Sequence, residues 1–578
     1  CRAKAFSGWL DPMGPENLLV FANGVFLTTG APCSGRFEVI TKSPLTGFMV
    51  GSSCGGPFGE ACKTAGWDGV IISGKADKPT IIRFDDENVI FEDAGNLWGM
   101  NTHTTQKELH MGPREGAAVI GPAGENGVLY ANVCSGHRFA GRGGVGAVMG
   151  AKNLKAVVAK GKQYRCVPIN REKFDKAMKK AKKHLLRNEM IKGFRDYGTN
   201  ANVRKGIDYG YSPVHNFRDR YNPKTEATTG EVMAQKYQTR HSTCRYCTVL
   251  CGHKGHYPDG VIRQIPEYET NGVFGSNIEN YDTDKIGVWN DIMNDMGMDT
   301  ISAGVTISWA MEAGERGIRK TELSFENHDN ISQVLEDIAY KRGEGAELAL
   351  GSKRLSEKYG GRDYAIHVKG LEMAAYDPRA SWGHGLGYAV TNKGGCHLGS
   401  YVISLEVLLG FMPAKITLGK ASWVVFMEDI FSGLNSLQTC LFTSMALMTE
   451  PVIPKYMPLL VLNVSTVMNP KLAQMLMNWS VYSDLFSAIT GVKMNQWQFL
   501  RAGQRITKLE RYMDVLMGMK PSDDTLPNRF VKETETKFPD KSVVPIEKMV
   551  KSYYRARKYD PATAGPRIKD LQKLGIPV

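Results

Sequence analysis

The chain is 578 residues long, 42% hydrophobic and 23% charged, the balance of a soluble globular protein of about three or four domains. No uninterrupted apolar run approaches the ~18 residues of a membrane span; the stretch "MPLLVLNVSTVMN" is broken by Asn463 and Ser465. The net charge of +13 fits an acidic redox protein, a phosphate-bearing cofactor or a merely solvated basic surface, whereas the dispersed basic residues show no aromatic-interleaved motif for nucleic acid.

Up to about residue 166 the chain reads as strand-rich. "LLVFANGVF", "RFEVITKSP" and "GVIISGKA" are short β-type runs, and "TIIRFD" and "NVIFED" form a pair joined by "DEN", a hairpin loop. The chain begins at Cys1 rather than Met and has no charged-then-apolar leader, so further residues are expected to precede it. "GHRFAGRGGVGAVMGAKNLKAVV" places Gly141, Gly143 and Gly146 in a G-x-G-x-x-G pattern. A weak strand precedes it and a basic segment lies ~20 positions on, where a dinucleotide fold needs an acid. Its glycines and the flanking Arg138 and Arg142 still suit an anion, by close backbone approach and bidentate donors.

From "NREKFDKAMKKAKKHLLRNEMIKGF" onward the pattern turns helical. In "DTDKIGVWNDIMNDMGMD", Trp289, Ile292, Met293 and Met296 follow helical spacing; Gly297 ends that helix, and Asp299 or Thr300 caps the next. Leu434 to Met517 is again mostly helical, "GMKPSDDTLPNRF" is a loop, and short helices follow Val544.

Eleven cysteines in a chain this long do not make a disulfide framework. Cys1, Cys33, Cys54, Cys62, Cys134, Cys166 and Cys396 are scattered and read as reduced core thiols, which implies a cytoplasmic protein. Only "STCRYCTVLCGHKG", with Cys244, Cys247 and Cys251, demands a ligand. One such loop, completed by His253 or His256, could hold zinc; with a remote fourth thiolate it could hold an iron–sulfur cluster. Cys440, in "LNSLQTCLFTS", is the best remote thiol.

Taken in order, "GPENLLVFANGVF", "SGRFEVITKSPLTGF", "GGPFGEACKTAGWDGVIISGKA", "GPAGEN", "HRFAGRGGVGAVMGAKNLKAV", the cysteine loop, "PEYET", "MGMDTISAG", "AYDPRASWGHGLGYAVTNKGGCH" and "DDTLPNRF" resemble the tungsten-dependent aldehyde ferredoxin oxidoreductase family nearly end to end. The resemblance implies an α+β chain: an N-terminal β-sandwich base over 1–166 that carries the cofactor, then mainly α-helical domains over 167–370 and 371–578. It implies tungsten held by two molybdopterin-type dithiolenes (a tungsten bis-molybdopterin), with Mg2+ bridging the pterin phosphates. It also implies a [4Fe-4S] cluster on Cys244, Cys247, Cys251 and Cys440.

Carried over by position, Arg36, Gly55, Arg138, Gly141, Arg142 and Asp299 match pterin contacts, as do Met298, Thr439 and Leu441. Ser53 stands where the family has Asn, Phe139 where it has a small residue, Asn294 and Asn435 where it has Asp, and Lys393 where it has Arg. Glu269 and His397 match the family's active-site acid and histidine, and Tyr376 a tyrosine lining some members' pockets. Glu267, two residues away and on the same face in a strand, competes with Glu269; His384 reads as structural or as packed behind the site. The implied reaction is aldehyde oxidation to a carboxylic acid, reversible, with electrons leaving through the cluster to ferredoxin or another small carrier. A homo-oligomer or additional electron-transfer subunits complete the expected partners. The alternatives are a subunit like the tungsten benzoyl-coenzyme A reductases, or a non-catalytic relay. Some members bridge two subunits with an iron held by E-x-x-H; here those positions are Val288 and Asp291, so no bridging iron is expected.

Overall fold

The computed structural model describes residues 10–162, 165–448, 458–534 and 542–578; Cys1 lies outside them. β1 (Leu19–Asn23), β2 (Phe37–Lys42), β3 (Met49–Cys54) and β4 (Gly69–Ile72) form an antiparallel sheet in the order β3-β2-β1-β4. Along β3 the side chains of Val50, Ser52 and Cys54 are buried and their neighbours less so, the period-two pattern of a half-buried strand. A second sheet contains β5 (Thr80–Phe84), β6 (Val89–Asp93), β7 (Glu115–Val119), β8 (Val133–Ser135), β9 (Arg138–Ala140) and β10 (Leu154–Lys160), in the order β6-β5-β10-β7-β8-β9. The β5–β6 hairpin is the one expected, closed by the Asp85 N–H donating to the Asn88 carbonyl at 3.1 Å.

Both sheets contribute to one core, in which Phe58 meets Phe21, Phe37 and Phe84 edge to face. Burying each of these rings is worth about 1.5–3 kcal/mol. Phe58 stands on α1 (Pro57–Thr64), which, like α2 (Val145–Ala151), contacts both sheets. The base domain is therefore a sandwich with helices packed into its core.

Beyond Arg171 the described chain is mostly helical. α3 (Tyr268–Phe274), α4 (Thr283–Met296), α5 (Thr300–Glu315), α6 (Trp382–Val390), α7 (Lys420–Leu437) and α8 (Gln496–Leu516) frame the site. α4 ends at Gly297, whose φ of 80° is left-handed, and Asp299 caps α5 by accepting the Ile301 N–H at 3.1 Å, as its sequence requires. Every residue from Ile301 to Ala313 is buried, so α5 is the central helix of the second part. Among the described residues no helix is long and apolar enough to cross a membrane.

Burial on α5 includes the carboxylate of Glu312, which must be paired. Burial alone would raise its pKa, but Arg529, Asn216 and Arg316 pull it below the usual carboxylate range. Arg529 binds both oxygens at 2.7 Å and Asn216 donates at 2.7 Å, which ties the short helix Asn528–Lys532 to α5. Arg529→Met should destabilise the protein by about 3–5 kcal/mol in denaturant unfolding, because it leaves a buried charge short of partners. Replacing both partners with apolar residues should recover most of that loss. The carboxyl's pKa is depressed on folding, so its contribution is present above the unfolded pKa and disappears as pH falls through the folded one.

Candidate active site and cluster cradle

The glycine loop follows the β8–β9 hairpin and leads into α2. It is not a dinucleotide loop: β9 pairs antiparallel with β8, α2 is short, and β10 joins β5 and β7 instead. The glycines have separate tasks. Gly144 has a φ of 76°, and a Cβ there would meet the Leu129 carbonyl oxygen at 2.1 Å, so the turn requires glycine. A Cβ at Gly141 would meet nothing within 4 Å, because Gly141 faces a cavity.

That cavity, of about 400 Å³, falls within the ~300–1,000 Å³ of ordinary small-molecule sites. Its lining brings together Arg36, Ser53, Gly55, Arg138, Phe139, Gly141 and Arg142 from the base domain with Asn294, Met298 and Asp299 from the α4–α5 junction. Lys393, Asn435, Leu441, Glu269 and His397 line it too, with Cys244, Cys247, Cys251 and Cys440. Two expected residues do not. Thr439 is buried, with its hydroxyl donating to the Pro32 carbonyl at 3.0 Å. Tyr376 lies behind His397, ring centres 5.7 Å apart, with its hydroxyl 3.0 Å from that of Tyr401.

Arg142 is held by protein groups: it donates to Asp299 at 3.2 Å, to the Gly395 carbonyl at 3.2 Å and to the Glu372 carbonyl. Arg138 reaches Glu267 at 3.3 Å and the Ser242 carbonyl at 3.0 Å. The outer nitrogens that the sequence offers to an anion are thus largely spent on positioning, while each Nε is buried without a partner. Arg36 is held by Ser53, through Oγ at 2.8 Å and the carbonyl at 3.0 Å, and Lys393 donates to the Gly51 carbonyl at 3.2 Å. Gly55 gives room, since a Cβ there would come within 3.2 Å of both Arg138 and the Cys244 sulfur.

"PEYET" forms the start of a helix, not a strand in which Glu267 and Glu269 would share a face. Glu267 is the N-cap of α3 and Glu269 lies in its first turn, so the two carboxylates do not share a face. Glu267 is engaged by Arg138 and by the Thr199 hydroxyl at 2.9 Å. Glu269 accepts the Ala375 N–H at 2.8 Å, and its other oxygen lies 3.3 Å from His397 Nε2. Burial pushes the Glu269 carboxyl up to about 8, against the Ala375 N–H and Arg142. Burial, then Arg142, His384 and Lys393, hold the His397 imidazole well below its ordinary range. Near neutral pH the pair is therefore a carboxylic acid beside a neutral imidazole. Glu269 Oε1 and His397 Nδ1 are buried without hydrogen-bond partners.

His253 does not complete a zinc site: its ring nitrogens face the Cys251 and Arg195 carbonyls at 3.2 and 3.0 Å. Among the described residues no three His, Cys, Asp or Glu side chains converge on a point that could hold one metal ion. Asp291 is paired with Arg263 at 2.9 Å, and Asp284 with Lys236 at 2.8 Å.

Sequence reasoning missed two residues here. Cys33, read as a plain core thiol, lines the cavity, and its sulfur accepts the Thr248 N–H at 3.4 Å, one residue from Cys247. Tyr401 backs Tyr376, and Asn202 approaches both hydroxyls. The available signal was that Cys33 lies three residues before Arg36 in "CSGR"; nothing local marks Tyr401.

The chain matches two family models, the aldehyde ferredoxin oxidoreductase N-terminal domain over residues 3–161 and domains 2 and 3 of the same family over 176–576. It is 36% identical to the tungsten-containing aldehyde ferredoxin oxidoreductase of Pyrococcus furiosus, over 99% of this chain and 92% of that protein. It is equally similar, at 36%, to the Pyrococcus horikoshii protein of that name, over 98% and 91%. Among solved structures it resembles the active-site complex BamBC of benzoyl coenzyme A reductase in complex with 1,5-dienoyl-CoA, with a TM-score of 0.79, 22% identity and coverage of 99% of this chain and 91% of that one. That last likeness is one of fold.

Iron analysis of the isolated protein should give about four atoms per chain. Cys440→Ser should lose or convert the cluster, read by its visible absorbance and EPR, while pterin content stays largely unchanged. A Cys440→Ser protein with full iron and an unchanged spectrum would show that another residue is the fourth ligand.

Proposed function

Because the chain belongs to the aldehyde ferredoxin oxidoreductase family, we propose that it oxidises aldehydes to carboxylic acids and passes the electrons to ferredoxin or a similar small acidic carrier. The observation that carries this reading is the Glu269–His397 pair, 3.3 Å apart and buried on the same cavity as Cys244, Cys247, Cys251 and Cys440 and the Arg36, Arg138, Arg142 and Lys393 cations. A relay that only moved electrons would need no buried acid–imidazole pair. The likeness to the benzoyl coenzyme A reductase complex, at 22% identity, adds no argument for a thioester substrate.

The residues present fit a tungsten bis-pterin and a [4Fe-4S] cluster. The cations on the cavity suit an anionic ligand, the Nε atoms of Arg138 and Arg142 are buried without a partner, and Gly141 borders open space. Arg36, Arg138, Arg142 and Lys393 would hold the pterin phosphates, Asp299, Asn294 and Asn435 its ring edges, and Cys244, Cys247, Cys251 and Cys440 the cluster. When bound, these groups supply a two-electron acceptor and a one-electron relay.

The protein's own part is to orient substrate and move protons. Oxidising an aldehyde with water releases two protons along with two electrons, so a proton acceptor is needed. Glu269, with a pKa near working pH, is the better base, because His397 is held neutral and weakly basic. His397 Nδ1, without another partner, is available to a substrate oxygen. Tyr376, whose phenol burial keeps protonated, and Tyr401 buttress the imidazole. Around the cysteine loop Arg240, His241 and Arg245 are exposed, a basic rim that suits an acidic carrier. The thiols, free of disulfides in the described residues, fit a reducing cytoplasmic setting.

His397→Ala should lower aldehyde-dependent dye reduction by about 10²–10⁴-fold with tungsten still bound. Glu269→Gln should act likewise and Glu267→Gln far less; the reverse order would give Glu267 the proton-transfer role. Since Glu269 releases its proton only as pH rises through about 8, kcat/KM for aldehyde should climb across that range. The climb should be absent in Glu269→Gln.

A further inference from the structure

The helices Leu459–Met468 and Pro470–Met475 pack against each other with their polarity inverted. Thr466 and Gln474 face the protein. The Thr466 hydroxyl donates to the Phe411 carbonyl at 3.0 Å, and the Thr466 carbonyl accepts the Trp423 indole N–H at 2.9 Å. The Gln474 amide donates to the Ser422 carbonyl at 3.1 Å. The large apolar side chains face out instead. Leu460, Val461, Val464 and Met468 on the first helix are exposed, as are Leu472, Met475 and Leu476 on and just after the second; Leu460 is 75% exposed and Met468 70%. A surface helix ordinarily shows the reverse pattern, and grouped apolar side chains of this kind mark a docking surface.

The surroundings say what docks there. Residues 451–483 contain no Asp or Glu. Just beyond the second helix the Ser480 hydroxyl lies 3.5 Å from the Lys180 ammonium, which stands on the helix Arg171–Arg187. Lys173, Lys176, Lys183 and Arg187 follow Lys180 at helical intervals of three and four residues and so share its face, and all are exposed. They form a cationic stripe about 21 Å long, at ~1.5 Å rise per residue, whose middle adjoins the apolar surface. The occupant must therefore be apolar where the two helices meet it and negative beside them.

We propose that this surface seats the protein on an anionic lipid bilayer without spanning it. The apolar side chains enter the boundary between headgroups and acyl chains, and the stripe meets the negative headgroups. Stable attachment of this kind takes two signals, an apolar insert and a basic patch. A second copy of the chain fits less well, because it would bring the same acid-free helices and its own cations, leaving the stripe without counter-charge.

The test is sedimentation of the whole protein with vesicles of phosphatidylglycerol and phosphatidylcholine, and with vesicles of phosphatidylcholine alone. Wild type should pellet with the anionic vesicles, far less with the neutral ones, and less as salt is raised. Lys176→Gln/Lys180→Gln/Lys183→Gln should bind the anionic vesicles about a hundredfold more weakly, at roughly fivefold per lysine. Leu460→Ser/Val464→Ser/Met468→Ser should lose binding by at least as much, since the inserted apolar area is gone. The control Lys548→Gln/Lys551→Gln/Arg555→Gln removes the same charge from exposed positions of the helix Ile546–Arg557 and should bind like wild type. The comparison of stripe with control stands even if the serine variant misfolds. Absence of binding to anionic vesicles overturns the proposal, and so does equal weakening in stripe and control variants, or unchanged binding in a folded serine variant. A dimer in sedimentation velocity that the serine variant abolishes, in place of vesicle binding, would make a second copy the occupant and overturn it too.

Discussion

The Arg142 guanidinium is the point on which the site depends. It leaves the glycine loop of the base domain and ends on Asp299, the cap of the central helix, and on the Glu372 and Gly395 carbonyls, the latter two residues before His397. One planar group with fixed donor directions therefore registers the sandwich, the buried helix and the histidine loop against one another. A lysine could not do this, because a point charge on a flexible stem fixes no relative orientation. The same charge helps to keep His397 neutral and opposes the rise of the Glu269 pKa. Position and protonation at the site thus share a cause.

Arg138 does the corresponding work for the cysteine loop, binding the Ser242 carbonyl just before Cys244 and the Glu267 carboxylate just before α3. The two arginines lie four residues apart on one hairpin and turn, and they brace the cysteine-loop side and the His397 side of the cavity. Electron transfer falls off with distance and proton transfer demands contact, so both chemistries benefit when one rigid element sets their spacing. The cradle itself is strained: Cys33, Tyr246 and Leu250 all take left-handed backbones. That curling turns the Leu250 N–H toward the Cys247 sulfur at 3.4 Å, the kind of contact that lowers the energy of a thiolate. Buried charge elsewhere follows the same logic, as with Glu312 and Arg529, where the pairing holds the helical parts together.

The sequence by itself determined what depends on near neighbours along the chain. The β5–β6 hairpin, the glycine stop at Gly297, the Asp299 cap and the clustering of Cys244, Cys247 and Cys251 follow from rules that act over a few residues, and the ordered motifs brought the remote Cys440, Glu269 and His397 into view. Only the tertiary structure decided what depends on burial and on long-range approach. It made "PEYET" the start of a helix, so that Glu269 faces His397 and Glu267 faces Arg138. It spent the outer nitrogens of Arg138 and Arg142 on the protein and packed helices into the sandwich core. It also brought the Thr248 N–H, more than two hundred positions away in sequence, onto the Cys33 sulfur. The physical reason is that spacing constrains local backbone geometry, whereas a pKa or a hydrogen bond to a sulfur depends on everything within a few ångströms, most of it supplied by remote parts of the chain.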